Sequence, residues 1–122
     1  MQVEQVDFVS VLTQDIPRAK KFYGETLGLP IETEGENDLE FTLGQVTLDV
    51  FNPASIGQEF APSPAGIAIR VPDVAAARAE LEAKGVQFDG EILDTGVCHM
   101  TFFKDPDGNA LLLHRRYAPH EG

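Results

Sequence analysis

Ile67-Ala68-Ile69-Arg70, then Asp73-Val74, then residues 75–81 and Lys84-Gly85-Val86, restate in order an earlier run. That run is Val9-Ser10-Val11-Leu12, Asp15-Ile16, residues 18–23 and Leu27-Gly28-Leu29. Self-similarity at a fixed spacing marks a duplicated structural unit. Asp15 and Asp73 stand 58 residues apart, each just ahead of a stretch with helical spacing. A carboxylate there caps orphan N–H groups and suits the positive end of a helix. Pro17 is acceptable in a first turn, where its missing N–H has no partner to lose. The apolar stripes are Ile16, Ala19, Phe22 and Tyr23 in one copy, and Val74, Ala77 and Leu81 in the other. Steps of three and four give one buried face. Gly28 and Gly85 follow where a helix end calls for a left-handed residue.

Short strands follow each helix. Residues 39–43 and 46–51 flank Gly44-Gln45, a pair that fits a type II′ hairpin with Gly first. Residues 98–103 and 110–114 flank Lys104-Asp105-Pro106-Asp107-Gly108-Asn109, a run of turn formers. Residues 52–65 carry Pro53, Pro62 and Pro64 and read as a surface linker. The expectation is an α+β chain of two β-α-β-β-β modules, each with a curved four-stranded sheet. As one domain over 1–122, it divides into module 1 at about 1–52, linker 53–65, module 2 at about 66–117 and tail 118–122.

Period-two alternation sorts the strand residues by face. In module 1, Val9, Val11, Leu39, Phe41, Leu43, Val46, Leu48 and Val50 form an apolar face for the helix. Pairing Leu43 with Val46 leaves Phe8, Ser10, Glu40, Thr42, Thr47, Asp49 and Phe51 on the other. In module 2 the helix face is Ile67, Ile69, Val71, Leu111 and Leu113, and the opposite face holds Gly66, Ala68, Arg70, Leu112 and His114. A symmetric hairpin sets Phe102 beside Leu112 and Met100 beside His114, and sends His99 to the helix side. Two mixed faces related by duplication can line a shared cleft for a small organic ligand. The candidate ligand-binding residues are Phe8, Ser10, Glu40, Asp49, Phe51, Arg70, Met100, Phe102, Leu112 and His114.

Composition excludes several classes. The 122 residues are 43% hydrophobic and 24% charged, a globular balance. Twenty acids against nine bases leave a net charge of −11, which repels nucleic acid and anionic membranes and attracts a cationic small molecule. An acidic surface also serves plain solubility. The first residues, Met1-Gln2-Val3-Glu4-Gln5, lack the basic and apolar regions of a secretory signal, and no stretch has the length of a membrane helix, so a cytoplasmic protein is expected. Cys98 is the single cysteine and is expected to be structural.

With these residues in place, the chain resembles the vicinal oxygen chelate superfamily, which includes glyoxalase I, extradiol dioxygenases, fosfomycin-resistance enzymes and bleomycin-binding proteins. The resemblance rests on Val6-Asp7-Phe8-Val9, Asp15-Ile16, Phe22-Tyr23, Leu27-Gly28-Leu29, Asp73-Val74, Lys84-Gly85-Val86 and Phe103 to Asn109 in order and spacing. It implies a homodimer. In metal-using members four sheet positions supply the ligands: His or Gln, Glu, His, Glu. Their counterparts here are Phe8, Asp49, Gly66 and Leu112. One carboxylate among four cannot hold a divalent ion well, so no metal or other cofactor is expected.

The resemblance and the faces together imply a protein that sequesters a small organic molecule, including one with a cationic group, without the usual metal. Two alternatives stand beside it. One is a lyase, isomerase or dioxygenase using a rearranged metal site of Asp49, Glu40 and His114, or Asp49 and His114 as acid and base. The other is a non-catalytic dimeric scaffold. Asp49, on a strand expected to be central, needs a partner: Arg70 or a hydroxyl such as Ser10 in a structural pair, or a cationic ligand.

Overall fold

The computed structural model describes residues 1–120. By its contacts the chain divides into two compact units, one over Met1–Ser63 and one from Pro64 onward. The first contains β1 (Phe8–Leu12), α1 (Ile16–Lys20), β2 (Ile31–Glu34), β3 (Asp38–Leu43) and β4 (Val46–Phe51). The second contains β5 (Ile67–Arg70), α2 (Val74–Ala83), β6 (Phe88–Asp94), β7 (Cys98–Lys104) and β8 (Ala110–Arg116). Each unit is therefore β-α-β-β-β. The sheets have the same order, β1-β4-β3-β2 and β5-β8-β7-β6, with the first strand parallel to the last and the others antiparallel.

Duplication extends to the helix ends. Asp15 accepts from the Arg18 N–H at 3.0 Å, and Asp73 from the Ala76 N–H at 3.0 Å. After α2 the Val86 N–H reaches back to the Leu81 carbonyl and the Gly85 N–H to that of Glu82, the paired bonds of a left-handed cap, with Gly85 at φ 93°. The first helix departs from the expected α-helix over 18–23. From Lys21 to Thr26 it widens into a π-helical turn, in which the Leu27 N–H bonds to the Phe22 carbonyl at 2.9 Å. This turn carries Tyr23, fully buried with its ring centroid 5.8 Å from that of Phe41.

The expected register is present throughout. Leu43 pairs with Val46 across Gly44-Gln45, with Gly44 at φ 63° and no positive φ at Gln45. Val11, Leu39, Phe41, Leu48 and Val50 are buried under α1 and its π turn. Phe103, Leu111 and Leu113 are buried together with Val74 and Leu81 of α2. Thr101, a polar residue buried in that second core, is satisfied by Arg78 Nη1 at 2.9 Å, and the same guanidinium lies over the Phe88 ring.

Two segments depart from the sequence reading, the linker and the tail. The linker opens with a short 3-10 turn, Pro53–Ile56, whose Pro53 is buried and whose first N–H groups are capped by Asn52. His99 lies near the start of β7, on the face of Thr101 and Phe103 by alternation, 3.4 Å from Asp94 and with its ring tilted at 40° to that of Tyr117. The tail is held at its start, since Arg116 donates to the carbonyls of Ala118 and Pro119. Residues 121 and 122 of that tail lie outside the described residues.

Candidate ligand-binding site

The central strand β4 places Asp49 on the face turned away from α1, between Ser10 of β1 and Glu40 of β3, its register partners on either side. Ser10 Oγ donates to Asp49 Oδ2 at 3.2 Å, so the structural partner of Asp49 is the hydroxyl. Asp38 follows by alternation from Glu40, because β3 begins at Asp38. Carboxylate oxygens of Asp38, Glu40 and Asp49 lie within 4.8 Å of one another. Glu32 joins the same surface from β2, accepting from Thr42 Oγ1 at 2.7 Å and Thr47 Oγ1 at 3.4 Å.

The result is a recess of about 530 Å³ bounded by Asp7, Phe8, Asp38, Glu40, Thr47 and Asp49 among others. Four of these are acids, and no lysine, arginine or histidine is among the described residues that line it. Phe8 offers an open apolar surface at its edge, the residue being 59% exposed. Burial pushes the Asp49 carboxyl above its ordinary range; the Ser10 hydrogen bond opposes this, and the charges of Asp38 and Glu40 add to it.

That shift has a sign in stability. The folded protein holds the Asp49 proton more tightly than the unfolded chain does, so ionising it costs stability as pH rises through the folded value. Asp49→Asn keeps an acceptor for Ser10 and removes the charge. At neutral pH it is expected to melt above the parent, and the difference should vanish below the ordinary carboxyl value of 3.8. Paired melting curves from pH 3 to 8 read this directly, and an unchanged or lower melting temperature at pH 7 would contradict it.

In the second module, Arg70 pairs with His114, Ala68 and Phe102 with Leu112, and Met100 with His114. The ten expected residues thus form two sets, Phe8, Ser10, Glu40, Asp49 and Phe51 on one sheet and Arg70, Met100, Phe102, Leu112 and His114 on the other, each on a single face. Asp7, Glu32 and Asp38 add acids the sequence reading missed. Cys98 is buried, with its Sγ 3.1 Å from Thr95 Oγ1.

The fold and the faces now permit the comparison with known proteins. The chain belongs to the Glyoxalase/Bleomycin resistance protein/Dioxygenase superfamily, whose family model matches residues 5–113. Among solved structures, the antibiotic-binding protein TnmS3 from Streptomyces sp. CB03234 is 28% identical at a TM-score of 0.78, covering 95% of this chain and 98% of that one. A glyoxalase/bleomycin resistance protein from the same organism is 28% identical at a TM-score of 0.73, covering 91% and 100%. Lactoylglutathione lyase from Agrobacterium tumefaciens, 17% identical at a TM-score of 0.79 and covering 93% and 94%, shares the fold. No curated protein matches the chain significantly.

The residues at the family's metal-ligand positions do not fit a divalent ion. Phe8 and Leu112 are hydrocarbon. Gly66 has no side chain, and Leu112 Cδ2 stands 2.9 Å from where its Cβ would lie, so the space above Gly66 is filled by the leucine. Asp49 alone is a donor. Among the described residues, no helix is long and apolar enough to cross a membrane.

Proposed function

We propose that the protein binds a small amphipathic organic molecule bearing a protonated amine or similar cation, and that it sequesters this molecule without the family's metal. The observation that carries this reading is the convergence of Asp38, Glu40 and Asp49 on a recess lined, among the described residues, by no basic side chain. The exposed ring of Phe8 gives the apolar part of such a ligand a surface. The antibiotic-binding relative at 28% identity supports a binding role over a catalytic one. The reading includes a homodimer, which sedimentation equilibrium measures.

Calorimetric titration with bleomycin and with phenethylamine tests it. One site per chain with a Kd at or below about 100 µM is expected for a cationic ligand. Absence of heat and of thermal stabilisation at millimolar concentrations of either would overturn it. A second reading, a rearranged metal site in an enzyme, is favoured by the same three carboxylates, whose oxygens are close enough to share one hard cation. Micromolar Mn²⁺ or Ni²⁺ binding at one site per chain would favour that reading and displace the first.

A further inference from the structure

The second module carries a recess of opposite charge. It encloses about 440 Å³ between the end of β5, the end of β8 and the start of the tail, and is lined by Arg70, His114, Arg115, Arg116, Ala118 and His120. Three of the chain's five arginines and two of its three histidines therefore meet in one place, in a protein whose net charge is −11. Random placement on so acidic a surface would leave arginines beside carboxylates, as Arg78 is beside Glu82. Among the described residues, none of Arg70, Arg115 and Arg116 makes an ion pair. Arg116 is also oriented: its Nε and Nη2 donate to the carbonyls of Ala118 and Pro119, at 2.9 and 3.2 Å. That fixes the guanidinium plane and leaves Nη1 with no protein acceptor among the described residues. Arg70 and His114 are held side by side by the parallel pairing of β5 and β8, and the Val71 N–H bonds to the His114 carbonyl at 3.1 Å.

We propose that this recess is a binding site for a compact dianionic head, a phosphomonoester or a dicarboxylate. Guanidinium groups present planar forks of donors that match such oxygens, and several that make no ion pair among the described residues, gathered in a single hollow, satisfy two negative charges at once. The size of the recess suits the head and part of a small molecule. The chain's overall charge selects against a polyanion, which must lie along acidic surface beyond the recess. A small anion feels mainly the charges within a Debye length of about 8 Å. This inference goes beyond the function proposed above, because it concerns the other module and a ligand of opposite sign.

The test is a titration with inorganic phosphate, phenyl phosphate and malonate at constant ionic strength, followed by calorimetry and by the arginine Nε–Hε resonances. One saturable site with a Kd of about 1 mM or tighter is expected for phenyl phosphate or malonate, and whichever binds tighter names the head. Arg70→Gln and Arg115→Gln should each weaken binding about tenfold, while Arg18→Gln in the first module leaves it unchanged. The wild-type arginine resonances report the site even where a variant folds poorly. No saturable shift up to 20 mM of any of the three anions, or binding by both Arg70→Gln and Arg115→Gln as tight as the parent's, would overturn the proposal.

Discussion

Asp105→Ala is expected to lower the melting temperature by about 10 °C. Asp105 sits at the start of the turn between β7 and β8 and is only 5% exposed. Its Oδ1 accepts from the backbone N–H groups of Asp107 at 2.9 Å and Asn109 at 2.8 Å, and its Oδ2 accepts from Asn109 Nδ2 at 2.7 Å. Asn109 is fully buried. The turn is closed by the Asp105 N–H on the Asn109 carbonyl and by Gly108 at φ 91°, a conformation that favours glycine. Truncation deletes three bonds to an ionised acceptor, two of them made by the buried Asn109, together about 3–4 kcal/mol, with each kcal/mol worth about 3 °C in a chain of this size. Asp105→Asn should also be severe, because its amide N–H₂ would face that of Asn109, donor against donor. Lys104→Ala, one residue away and exposed, should stay within about 0.5 kcal/mol of the parent. Calorimetric melting of the three variants checks the set; an Asp105→Ala protein within 2 °C of the parent would show that this turn is replaceable.

The same turn was visible in the sequence as a run of turn formers, and the reason is local: each of its bonds spans at most four residues. Other parts were legible for the same reason. Asp15 and Asp73 cap their own helices, and the Leu43–Val46 pairing follows from a two-residue loop and a strict alternation. Once that register is set, Ser10, Glu40 and Asp49 must share a face. The segments that escaped lack such signals. β2, Ile31-Glu32-Thr33-Glu34, is an exposed edge strand with a bulge between Ile31 and Thr33, so burial imposes no alternation on it. β6 is mostly exposed and bends at Gly90, φ 74°. No sequence signal places β2, so none assigns Glu32 a face, and the apolar alternation of β3 starts at Leu39, one residue after Asp38. The π turn at Lys21–Thr26 changes the hydrogen-bond step of a helix whose apolar stripe is unaltered, and periodicity does not distinguish it. His114, Arg115 and Arg116 are neighbours in sequence, but bringing Arg70 beside them needs the β5–β8 pairing, a contact distant in sequence.

The acid face leads to the second large effect. Asp49→Asn combined with Glu40→Gln is expected to cost about 100-fold in affinity for a cationic ligand such as phenethylamine, on the function proposed above. Each carboxylate within contact of an ammonium contributes on the order of 1–1.5 kcal/mol after solvent screening, and 1.4 kcal/mol is tenfold in Kd. Asp38 stays in the variant, so binding is weakened rather than abolished. Two controls separate charge from shape. An uncharged analogue, 2-phenylethanol, should bind the parent and the variant alike, because the ring surface at Phe8 is untouched. The parent's affinity for the amine should fall as NaCl is raised, while the variant's should be nearly flat. The double variant should also melt higher than the parent at pH 7, since the burial of a charge at Asp49 and its approach to the charge of Glu40 are both relieved. Binding weakened together with a raised melting temperature cannot come from unfolding, and it is the pattern of a surface kept under electrostatic tension for its ligand. Equal losses for the amine and the alcohol would instead mean that the recess selects shape alone and that its carboxylates serve another purpose.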